Sequence, residues 1–174
     1  MKSYKLIGLM FLLIVYLMPE YCAFETSIQI IEKVNLSFDP GQGYEIYDKG
    51  IKDVDEDSFS RNFFINSTST ENNALLSIGS IFSLTDNIDP VEFSNYMADI
   101  LVGAYKLAGG KEIGIDFTNS TFGQNVKIIT LFNSKSENQT VIASWVLDRD
   151  NFAFVISDDS NLTRRSVETL EIKS

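Results

Sequence analysis

The chain has 174 residues, with 14 basic and 24 acidic side chains, a formal net charge of −10 and no histidine. A surface this acidic repels the nucleic-acid backbone and anionic lipid headgroups, so neither is expected as a partner. The missing imidazole removes the commonest general base, a frequent zinc ligand and the usual partner of a nucleophilic serine.

The chain opens with Lys2 and Lys5 ahead of an unbroken apolar run from Leu6 to Met18. That run is shorter than the ~20 residues a spanning helix needs, so residues 1–23 are expected to be a secretory signal cleaved near Ala23. Two alternatives stay open, and a membrane is expected only through this N-terminal segment: an uncleaved anchor, or a lipidated Cys22, although Pro19, Glu20 and Tyr21 do not make a lipobox. Cleavage would leave residues 24–174 as one domain, enough chain for a sizeable core. It would also shift the formal charge from −10 to −11 by removing Lys2, Lys5 and Glu20. Cys22 is the one cysteine, so the cleaved domain would have no disulfide and no thiol chemistry. An export signal without disulfides points to a secreted or cell-envelope protein of a prokaryote.

In chain order, Ser27 to Phe38 alternates as a strand, and Asp39-Pro40-Gly41 turns. Tyr44 to Tyr47 is a short strand, Asp48-Lys49-Gly50 turns again, and Lys52 to Ser58 is a charged loop. Phe59 to Asn66 and Ala74 to Leu84 are strands, the second with Leu76, Ile78, Phe82 and Leu84 on one face. The clearest helix starts at Asp89. Asp89 caps it, Pro90 suits its first position, and Glu92 completes a capping box. Phe93, Met97, Ile100, Leu101, Ala104 and Ala108 recur at helical spacing, and Gly109-Gly110 ends the run.

Four strands follow. Lys111 to Thr118 alternates, with Ile113, Ile115 and Phe117 expected inward and Glu112, Asp116 and Thr118 outward. Val126 to Phe132, Val141 to Leu147 and Phe152 to Ile156 are apolar on both faces, as in the middle of a covered sheet. Short polar connections make them antiparallel neighbours. Asp159 to Leu170 is a closing helix. The expected fold class is α+β, a mostly antiparallel sheet flanked by helices.

This order of elements resembles the PsbP/Mog1/DcrB-like fold. The likeness rests on the early strand around Tyr44-Glu45-Ile46-Tyr47, the helix from Asp89, and the strand pair VIASWVLDRDNFAFVIS. It is completed by the closing helix with Ser166, Val167, Glu168 and Leu170. It looks like the PsbP-like secreted proteins of prokaryotes, archaea among them, and implies an α/β/α sandwich. The family's functions are diverse, so the resemblance carries over no functional residue.

No Gly-x-Ser-x-Gly, Walker or Gly-x-Gly-x-x-Gly pattern occurs, and no cofactor is expected. Gly41-Gln42-Gly43 reads as a turn. Asp53, Asp55 and Asp57 alternate like the opening of a calcium loop, but Ser58 stands where that loop needs glycine and Phe64 where it needs a bidentate Glu. A solvated acidic loop is the simpler account. Five Asn-x-Ser/Thr sequons start at Asn35, Asn66, Asn119, Asn138 and Asn161, and the last three fall between elements, where glycans would be exposed. Trp145 is expected in the core or against a ligand, Tyr44 and Tyr47 on an edge strand, and Arg164 and Arg165 on a solvated face. Nothing pairs a nucleophile with a base. The expectation is therefore a non-catalytic domain that binds a surface protein or a small ligand. A structural cell-surface component is the alternative, and a carboxylate enzyme the least favoured.

Overall fold

The computed structural model describes residues 29–30, 35–55, 58–80, 89–148 and 150–173. The signal segment with Cys22, the 81–88 stretch with Phe82 and Leu84, and Asp57 lie outside the described residues.

The elements run β1 (Gln29–Ile30), β2 (Asn35–Ser37), β3 (Tyr44–Asp55), β4 (Ser58–Ser67), β5 (Asn73–Ser80), α1 (Pro90–Leu107) and β6 (Gly110–Asn119). They continue as β7 (Asn125–Asn133), β8 (Asn138–Val146), β9 (Asn151–Ser157), α2 (Ser160–Thr169) and β10 (Glu171–Lys173). Seven strands make one sheet in the order β3-β4-β5-β9-β8-β7-β6, antiparallel throughout. It consists of two meanders, β3-β4-β5 and β6-β7-β8-β9, joined where β5 pairs with β9. The α+β class and the antiparallel meander follow the sequence pattern. A separate small sheet, β1-β2-β10, takes up part of the expected first strand together with a C-terminal strand that carries no clear pattern of its own.

The two helices cover opposite faces. Side chains alternate across a strand, and β7 divides accordingly. Ile129 and Leu131 join Phe93, Met97, Leu101 and Val102 of α1, whereas Val126 and Ile128 join Leu162 and Val167 of α2. Phe93 meets Phe152 edge-on, with centroids 4.9 Å apart. Each fully buried side chain of this kind stabilises the fold by about 1.5–3 kcal/mol. Asp89 accepts from the amides of Val91 (2.8 Å) and Glu92 (3.0 Å), as the cap pattern predicts. The stripe sits slightly differently from the sequence reading: Val102 is buried, Ile100 only half-buried, and Ala108 exposed at the C-cap.

The sharpest local correction is in β3. Asp48-Lys49-Gly50 does not reverse the chain. The strand runs on to Asp55 with a register shift between Asp48 and Ile51, where Gly50 adopts φ +81°. Asp48 accepts from the Gly50 amide (2.8 Å) and holds the Arg61 guanidinium from two directions, Nε at 3.0 Å. Arg61 is buried and stacks over Phe63 at 5.2 Å. This buried ion pair turns what looked like a turn signal into a bulge.

Candidate functional site

Strand β6 ends the sheet, and among the described residues it pairs only with β7. Its outer side is therefore that of an edge strand, and at Phe117 side chains hold the backbone groups: the amide donates to Asp116 Oδ1 (2.8 Å) and the carbonyl accepts from Arg164. The exposures along it overturn the inward assignment: Ile113 is 61% exposed, Ile115 46% and Phe117 52%, while Thr118 is the buried residue. Phe122, in the turn that follows, is 60% exposed.

Placement of the two helices explains the inversion. Ile115 and Phe117 stand opposite Ile129 and Lys127 of β7 on the α1 side. The apolar residues of α1 pack with β7, β8 and β9, and the helix meets β6 mainly at its start. There Gly110 lies so close that an added Cβ would come within 2.9 Å of the Tyr105 carbonyl oxygen, and Lys106 Nζ reaches Glu112 at 2.9 Å. The other face of β6 is gripped by polar contacts from α2. Arg164 pairs with Asp116 and donates to the Phe117 carbonyl (3.3 Å), and Thr118 donates to Glu168. The amide of Phe117, then Arg164, holds the Asp116 carboxyl below its ordinary pKa. The polar side of β6 is thus fastened down and the apolar side is left open to water.

Arg165 likewise fastens rather than hangs free, pairing with Asp39 at 2.6 Å. As expected, both arginines lie on the water-facing side of α2, Arg165 exposed and Arg164 partly so, and they also tie the helix to β6 and to the turn after β2. Tyr44 is half-buried, and its hydroxyl donates to Asp159 at 2.9 Å. Asp159 also caps α2, accepting from the amides of Asn161 (2.7 Å) and Leu162 (3.3 Å), and from Asn72 Nδ2 (3.1 Å). Burial pushes the Asp159 carboxyl up, but these donors outweigh it and hold its pKa below the ordinary value. Next to it, Asp158 accepts from the Asn73 amide (2.8 Å), and burial raises its pKa. Both carboxylates are spent on closing the β5–β9 end of the sheet.

Asp53 and Asp55 lie in β3, paired with Phe59 and Ser58, so the charged loop expected there is mostly strand. Among the described residues, no group of three or more acidic, cysteine or histidine side chains gathers as a metal site would require. Trp145 is fully buried with Val141, Ala143 and Leu147, the face predicted for it. Among the described residues its Nε1 has no hydrogen-bond partner, nor do Asn62 Oδ1 and Ser77 Oγ, which stand opposite one another across β4 and β5. Of the sequon asparagines, Asn119 ends β6, Asn138 opens β8 and Asn161 lies in the first turn of α2 rather than between elements, because the strands and the helix run further than the sequence pattern suggests; all three are exposed. Asn66 is half-buried within β4, and Asn35 pairs with Ile30 and Lys173 in the small sheet.

Sequence reasoning found the residues of the β6 edge but assigned them to the core. No family model matches the chain, and no curated protein or solved structure matches it.

Proposed function

We propose that this is a non-catalytic secreted or envelope-associated domain that binds a surface protein by strand addition at β6. The observation that carries the reading is a row of exposed apolar side chains, Ile113, Ile115 and Phe117, along an edge strand with one partner strand among the described residues. Strand addition supplies main-chain hydrogen bonds for affinity and side-chain contacts for specificity. Isolated apolar residues on a surface need no explanation, but a contiguous row along a sheet edge does. Export rests on Lys2, Lys5 and the run Leu6–Met18. Kinship with the PsbP-like proteins is part of the same proposal, supported by a seven-stranded antiparallel sheet with a helix on each face.

The test is capture from the native envelope with the wild-type chain and with Phe117→Lys as bait, read together with amide exchange of the captured complex. Slowed exchange at residues 113–119, lost with Phe117→Lys, is the expected result. Equal capture by both baits would overturn the assignment of the site.

A further inference from the structure

We infer that Asn138 carries an N-linked glycan, and that it is the one sequon of the five that the folded chain still presents to a transferase. This rests on the export reading and not on the docking edge. In the reaction the Asn138 carboxamide nitrogen attacks the anomeric carbon of an oligosaccharide held on a polyprenyl diphosphate. A C–N bond forms as the C–O bond to phosphate breaks. The diphosphate leaves with the electron pair, and the nitrogen's proton goes to a base of the transferase. The enzyme must therefore reach the carboxamide, and it also reads the hydroxyl two residues further on, in an extended acceptor.

Four sequons are engaged by the fold. Asn35 is held between β1 and β10, opposite Ile30 and Lys173. Asn66 is half-buried between β3 and β5, opposite Glu45 and Asn73. Asn119 and Asn161 are exposed, but their hydroxyl partners are tied down. Thr121 Oγ1 donates to the Leu170 carbonyl at 2.7 Å, and Thr163 is fully buried with its hydroxyl 2.8 Å from that of Ser157. Asn138, Gln139 and Thr140 differ on each count. They lie where β8 runs past β9, which pairs with it only from Val141 onward. Among the described residues these three therefore pair with β7 alone, at Asn133, Phe132 and Leu131. The tripeptide is already extended, and it follows the exposed turn at residues 134–137. Asn138 and Gln139 are exposed, Thr140 is half-buried, and among the described residues no hydrogen bond engages the Thr140 hydroxyl. A glycan here stands two strands in from β6, at the end of the sheet where Gly110 pairs with Asn133. It leaves Phe117, toward the other end of β6, uncovered.

The experiment takes the folded full chain, made in a host that does not glycosylate, and incubates it with a purified oligosaccharyltransferase and a polyprenyl-diphosphate oligosaccharide. Glycopeptides are mapped by mass, and peptides spanning the Asn119, Asn138 and Asn161 sequons serve as unfolded controls. The peptides should react alike. In the folded chain Asn138 should be modified at least about tenfold faster than Asn119 or Asn161, because those two sequons must first open locally. Thr140→Val keeps the β-branched shape, so it should abolish the modification at a melting temperature like that of the wild type, and Thr140→Ser should retain it. A folded chain left bare at Asn138, or modified there no faster than at Asn119 or Asn161, overturns the inference. So does a bare Asn138 in the native chain recovered from outside the cell. A native chain found inside the cell with its N-terminus intact would remove the export reading instead, and the rates on the folded chain would still decide the acceptor.

Discussion

Ile115 and Ile129 face each other across β6 and β7, yet the structure gives them opposite energetics. Ile129 is 2% exposed in the cluster under α1, and Ile115 is 46% exposed. Replacing each with threonine keeps the β-branched shape. At Ile129 the change loses about one buried methylene, ~0.8 kcal/mol, and sets a hydroxyl among apolar neighbours, ~1–3 kcal/mol more. The expected cost is about 2–4 kcal/mol. At Ile115 roughly half of that methylene was wet already and the hydroxyl reaches water, so the cost is about 0.5 kcal/mol. In urea, at about 2 kcal/mol per molar, the midpoint should fall by about 1–2 M for Ile129→Thr and about 0.3 M for Ile115→Thr. The assay is equilibrium unfolding followed by fluorescence of Trp145, the one tryptophan and fully buried, alongside far-ultraviolet dichroism at low protein concentration. Equal losses at the two positions would mean that the outer face of β6 is covered in solution, and the edge reading would be refuted.

Two further outcomes follow from the polar fastenings. Asp159→Ala removes the α2 cap, typically ~1 kcal/mol, and strands the Tyr44 hydroxyl and the Asn72 amide. Because the folded pKa of Asp159 lies below the unfolded value, its contribution is present above about pH 4. That contribution is lost as pH falls through the folded pKa, so the gap in melting temperature between wild type and Asp159→Ala should close toward pH 2. Asp158 has the opposite sign. Its raised folded pKa costs stability at neutral pH, so Asp158→Asn, which keeps an acceptor for the Asn73 amide, should melt higher than wild type at pH 7 and no higher below pH 4. Arg61→Ala leaves the Asp48 carboxylate largely buried without its partner, since the two side chains are only 10% and 15% exposed. It should cost about 3–5 kcal/mol by urea unfolding, far more than Arg165→Ala at the exposed pair with Asp39.

Much of the fold was legible because its signals are local. The Asp89 cap, the glycines after the helix and the helical spacing of Phe93, Met97 and Leu101 each depend on neighbours within a turn or two. The doubly apolar β7, β8 and β9 announced themselves as interior strands, since few strands are apolar on both sides without being covered on both. The bulge at Asp48-Lys49-Gly50 was not legible. A glycine with positive φ serves a turn and a bulge alike, and Arg61 decides between them from thirteen residues away. The candidate site failed in the same manner. Alternation in Lys111 to Thr118 states that one face is apolar, and that statement is equally true of a core strand and of an open edge.

The sequence by itself therefore determined the class of the protein: an acidic, histidine-free α+β chain with an antiparallel meander and two capped helices. Only the tertiary structure decided that β5 pairs with β9, that β6 lies outermost, and that α1 leaves Ile115 and Phe117 uncovered. The physical reason is that hydrophobic periodicity records which side of a strand is oily, whereas burial depends on what packs there, and that is set by strand order and helix placement across the whole chain.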